Sequence, residues 1–177
     1  MASVFDPLIA LASKPIRQDD AMWMISQLDT GSDTSIVLLG GAFIENVLRD
    51  AVAANLVESE SGHKVLFRRN GPFSNFDSLI LIAYAIGVID KETRHDLTAI
   101  RHIRNAFAHA PRELSIGMVE ITAVCDSMHV ARGALGESST TPQKRLSYCI
   151  KALILLLMSK AFLAKYKPDA AGPLPGK

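Results

Sequence analysis

An arginine standing inside an apolar helical stripe constrains this chain more than any other feature. Leu97, Ile100, Ile103 and Phe107 recur at steps of three and four, the spacing of a helix with one face turned to a core. At about 100° per residue they cover an arc of roughly 120°. Arg104 falls within that arc, Arg101 just outside it, and Asp96 on the same face one ridge back through Ile100. A guanidinium there must pair with a carboxylate, reach out of the core or meet a partner chain, because an unpaired buried charge is costly. Asp90 predicts the N-cap, Glu92 suits the first turn, and Pro111 predicts a stop near His109 or Ala110.

The rest of the chain also reads as helix. Val4 to Ala12 and Asp19 to Leu28 are short candidates, the second with Trp23 on its apolar side. A long helix is expected from Thr34 to Val57, striped by Ile36, Leu39, Phe43, Val47, Val52 and Leu56. Gly40 and Gly41 sit inside it, where glycine weakens a helix, and predict a close crossing by another helix. Glu45 and Arg49 are spaced for a surface pair. Glu58 to Asn70 turns polar and Gly71-Pro72 marks a turn. Ser74 predicts a cap for a helix from Asn75 to Ile86, closed by Gly87. Beyond Pro111, Ser115 is a candidate cap for a helix over Ile116 to Ala131, and Gly133 to Thr141 reads as a linker. Thr141-Pro142 opens a last helix reaching Tyr166, and Pro168 begins a Pro/Gly-rich tail. The expected architecture is all-α: a single-domain bundle of six or seven helices over residues 1–167, with a core over 30–132, a C-terminal helix over 142–166 and a flexible tail over 168–177.

Composition narrows the function classes. The 177 residues suffice for one substantial core, and 49% hydrophobic content argues against disorder. Nineteen basic and 18 acidic residues leave a net charge of +1, with no global pull toward nucleic acid. The locally basic stretch is Lys91 to Arg112, with five basic residues against two acids; a solvated helix face accounts for it equally well. Cys125 and Cys149 lack metal-ligand spacing and read as buried free thiols. No signal peptide is visible, and the longest apolar run, Ala152 to Met158, is too short to span a bilayer. A soluble cytoplasmic protein, with no membrane partner, is expected.

No phosphate loop, nucleophile elbow or zinc-finger spacing is present. His95, His102 and His109 recur every seven residues, which sets neighbouring rings about 10 Å apart along the axis, too far to share a metal. No metal or cofactor is expected. Arg104, Asn105 and His109, as RNAFAH, resemble the RX4–6H motif of HEPN domains, all-helical proteins many of which are metal-independent dimeric ribonucleases. That resemblance implies that Arg104 holds the scissile phosphate and His109 moves the 2′-hydroxyl proton, with Asn105 as the polar residue after the arginine. A cation offsets charge on the phosphorane, and imidazole suits proton transfer near neutral pH. On an ideal helix the two side chains project roughly 140° apart, so cooperation needs a distorted helix end or a second chain.

A longer resemblance runs from Leu66-Phe67 through Gly71-Pro72-Phe73, Phe76, the Ile82 to Ile89 segment and Asp96-Leu97 to His109. In order and spacing this is similar to the mannitol operon repressor family. The resemblance implies a transcriptional regulator or corepressor, dimeric, acting through another transcription regulator or other protein, without a DNA-reading motif of its own. The alternative is an endoribonuclease using Arg104 and His109 on RNA. The bland account pairs Arg104 with Asp96 or Glu45 and lets His109 end a helix. Arg101, Asp96 and Glu45 are the candidate interaction residues.

Overall fold

The computed structural model describes residues 18–56, 60–68, 70–135 and 141–166. The Val4 to Ala12 helix, most of the Gly133 to Thr141 linker and the C-terminal tail lie outside them. The described residues hold eight helices and no strand: α1 Gln18–Thr30, α2 Asp33–Asn55, α3 Glu60–Phe67, α4 Phe76–Ala85, α5 Lys91–His109, α6 Val119–Ser127, α7 His129–Leu135 and α8 Pro142–Ala164. An all-α bundle is what the periodicity predicted.

The two long helices, α2 and α8, form the axis of the bundle, and both pack against α1 and α5. Helix α2 buries Ile36, Val37, Phe43, Ile44, Val47, Leu48, Ala51 and Val52. Helix α8 buries Leu146, Cys149, Ile150, Leu153, Ile154 and Leu157. The expected close crossing at Gly40-Gly41 is present and double. A Cβ on Gly40 would stand 3.0 Å from Ile150 Cδ1 of α8 and 3.1 Å from Leu28 Cδ2 of α1. A Cβ on Gly41 would stand 3.0 Å from Arg104 Cγ of α5. The pair therefore admits neighbours on two sides of one turn, which any side chain would push away.

By length and composition α8 is apolar enough to cross a membrane, which the uninterrupted run Ala152 to Met158 understated. In the fold its inner face is part of the core.

The caps around α5 form as read. Thr93 N–H donates to Asp90 Oδ1 at 2.8 Å. Gly87 adopts φ +75°, and Val88 N–H reaches Ala83 O at 2.9 Å while Gly87 N–H reaches Tyr84 O at 3.1 Å. This Schellman closure turns α4 sharply into α5. Helix α5 ends at His109, ahead of Pro111.

Four local expectations are corrected. The cap of α4 is Asn75, whose side chain accepts from Ser78 N–H, rather than Ser74. Trp23 lies on the exposed side of α1, whose buried side is Ala21, Met24 and Leu28. The polar Glu58 to Asn70 segment contains helix α3, where Phe67 packs on Phe73 with ring centroids 5.8 Å apart. The helix expected over Ile116 to Ala131 is two helices, α6 and α7, broken at Met128. Ser115 caps neither: its hydroxyl donates to Asp33 Oδ2 at 2.9 Å, and Ile116 N–H donates to the same oxygen at 2.8 Å.

Candidate functional site

Helix α5 carries two charged constellations that face different neighbouring helices. The first faces α2. Arg104 lies with its aliphatic stem against Gly41, and its guanidinium reaches Glu45 Oε2 at 3.5 Å. Its side chain keeps 33% exposure and Glu45 keeps 17%. Of the outlets open to a cation on this stripe, the fold uses pairing together with partial escape from the core. The carboxylate is Glu45 of α2, not Asp96. Glu45 is therefore withdrawn from the expected pair with Arg49. Arg49 instead donates to the carbonyl oxygens of Phe67 and Phe73, at 3.5 and 3.4 Å, and its guanidinium lies 5.9 Å from the Phe67 ring.

Arg101 sits one turn earlier and ties α5 to α4. Its Nη2 lies 3.3 Å from Asp77 Oδ1 and 3.1 Å from His102 Nε2. Its Nε is buried and has no hydrogen-bond partner among the described residues. Asn105 is half-buried, and His109 is exposed in the last turn of α5. Among the described residues no hydrogen bond or ion pair joins Arg104 to His109; the ion pair of Arg104 is with Glu45.

The second constellation faces α7 and α8, and is centred on Asp96. This carboxylate is 0% exposed. Its Oδ1 accepts from His129 N–H at 2.9 Å, and its Oδ2 accepts from Val130 N–H at 2.9 Å. Those amides begin α7, so Asp96 caps that helix from another element and satisfies donors its own turn cannot. This explains the break at Met128: a carboxylate supplied from α5 starts a new helix where the local pattern alone would continue the old one. Cys149 Sγ of α8 lies 3.7 Å from Oδ2. Burial pushes this thiol far up, and the Asp96 charge beside it adds to the effect; burial likewise raises Cys125 to about 11. Both are buried free thiols, as expected.

Two imidazoles close the Asp96 site toward solvent. His95 Nδ1 and His129 Nδ1 lie 3.2 and 3.3 Å from the same Oδ1. Their rings stack edge to face with centroids 4.7 Å apart. The side chains are 44% and 38% exposed. His129 was not singled out from the sequence. It lies in a stretch whose local pattern is only helical, and nothing there shows that a tertiary contact delivers it to residue 95.

Two surface clefts accompany these groups. One of about 410 Å³ is lined by Ser32, Asp33, Glu113, Ser115 and Met118, and another of about 180 Å³ by Val88, Asp90, Thr93, Leu156 and Lys160. Neither touches Arg104, His109 or Asp96. Exposed apolar side chains gather instead on the outer side of α8, at Leu155, Phe162 and Leu163, and at Tyr166 just past its end. The Phe162 and Tyr166 rings pack there at a tilt, with centroids 4.7 Å apart.

No protein-family model matches the chain, and no curated protein matches it. Among solved structures, a chain of the X-ray structure of the MtlR-HPr complex from Escherichia coli is similar over 84% of this chain and 99% of its own length, with a TM-score of 0.59 at 15% identity. At that identity the likeness is one of fold: this chain shares the helical architecture of a protein solved in that complex.

Proposed function

We propose that this chain is a regulatory protein that acts by binding another protein, in the manner of a transcriptional corepressor rather than of a direct DNA reader. One observation carries the reading: the fold likeness to MtlR spans 84% of this chain and 99% of that one, and that protein was solved bound to HPr. The balanced charge supports it, since an operator-reading protein is expected to present a strongly basic recognition surface. The apolar outer side of α8 supports it too, because exposed aromatic and aliphatic side chains grouped on one helix suit a protein interface.

The test is a titration of the purified chain with HPr from its own host, read by calorimetry, with light scattering to report whether the chain is a homodimer. A saturable complex weakened by Phe162→Ser or Tyr166→Ser supports the reading. Specific, salt-dependent binding of operator DNA by the chain alone overturns the indirect mode. Metal-independent RNA cleavage, lost in folded Arg104→Ala and His109→Ala proteins, would install the ribonuclease alternative in its place.

A further inference from the structure

The Asp96 constellation goes beyond protein binding. A fully buried carboxylate ordinarily has a cation for company. Among the described residues Asp96 has no lysine or arginine nitrogen within 4.0 Å; its partners are two backbone N–H groups, a thiol and two imidazoles. The nitrogens of His95 and His129 and an oxygen of Asp96 all lie within 4.8 Å of one another.

We propose that His95, Asp96 and His129 form a binding site for a divalent transition-metal ion of the zinc class. Two imidazoles and one carboxylate are a donor set that such ions take, while magnesium and calcium favour all-oxygen sites. The spacing agrees. Ligands at 2.0–2.1 Å from a tetrahedral zinc stand roughly 3.3 Å apart, and the two Nδ1–Oδ1 separations are 3.2 and 3.3 Å. The carboxylate is held in place before any ion arrives. His129 N–H, Val130 N–H and the Cys149 thiol fix its plane, the kind of outer contact that orients a ligand. Oδ1 gives one lone pair to the His129 amide and keeps the other. Each neutral ring binds through Nδ1 with its proton on Nε2. Water would supply the fourth ligand of a tetrahedral ion. The ion neutralises the buried charge and clamps the start of α7 to α5.

The experiment uses the full chain stripped with a chelator and then titrated with zinc chloride by calorimetry and with cobalt chloride by visible absorption. One ion per chain, visible bands of a four-coordinate cobalt site and a zinc-dependent rise in Tm are expected. His95→Gln and His129→Gln, checked for fold by circular dichroism, should each weaken binding by about tenfold or more. His102→Gln and His109→Gln, on the same helix but outside the cluster, should leave it unchanged. Absence of saturable binding overturns the proposal. So does binding that survives the double His95→Gln/His129→Gln change, or that falls equally with His102→Gln. Asp96 is left intact because its loss would unsettle α7 whether or not a metal binds.

Discussion

Asp96 and Arg104 stand two turns apart on one helix, both on the face that periodicity turns inward, yet the fold treats them in opposite ways. Asp96 is fully enclosed, and each of its oxygens accepts a backbone N–H at 2.9 Å. Arg104 keeps a third of its surface and has one carboxylate contact at 3.5 Å. A short acidic side chain cannot leave the core, so the core must bring donors to it. A long basic one lays its methylenes on Gly41 and carries its charge outward. The first arrangement decides where a helix begins. The second is a half-exposed ion pair, which contributes little to stability.

That contrast can be broken most directly at Asp96. Asp96→Ala strands two amides and a thiol in the interior, and should cost at least about 3 kcal/mol in urea unfolding. A cost near that of an exposed cap would show that α7 starts without help. The glycine pair sharpens the comparison next. Gly40→Leu drives a side chain into Ile150 and Leu28 and should cost about 1–3 kcal/mol. Gly41→Leu should cost less, because Arg104 can swing outward; equal losses would mean that Arg104 is as confined as Ile150.

A second carboxylate, at the N-cap of the same helix, gives an intermediate effect. Asp90→Ala removes the cap bond to Thr93 and should cost about 1 kcal/mol near neutral pH. The Thr93 backbone N–H holds the Asp90 carboxyl below its usual value. Its contribution is therefore complete above the ordinary carboxylate pKa and is lost as pH falls through the lowered one. Wild-type and variant stabilities should converge in acid; a gap that widens there would contradict the cap. Arg104→Ala, or Glu45→Gln, should be smallest, below about 1 kcal/mol with the helical circular dichroism unchanged. A loss several times larger would place Arg104 with Asp96 among the groups on which the bundle depends.

Much of α5 was readable without coordinates. Its N-cap, its stop before Pro111 and its inward stripe depend on residues within a turn or two of one another, and local chemistry suffices there. The same holds for Gly87, where a left-handed backbone meets the one residue without a Cβ. The partner of Arg104 was legible only as an alternative between Asp96 and Glu45. Both carboxylates suit a guanidinium chemically, and 80 or so degrees around an ideal helix separates the face of residue 96 from that of residue 104.

By itself the sequence determined that this protein is a bundle of helices, where most of them start and stop, and that two glycines would admit a close neighbour. Periodicity and capping are short-range, so they survive in one dimension. Tertiary structure alone decided that Asp96 opens α7, that Glu45 leaves Arg49 for Arg104, and that His129 meets His95. Each of these joins residues from separate helices, and a helical repeat states which way a side chain points without stating what waits there.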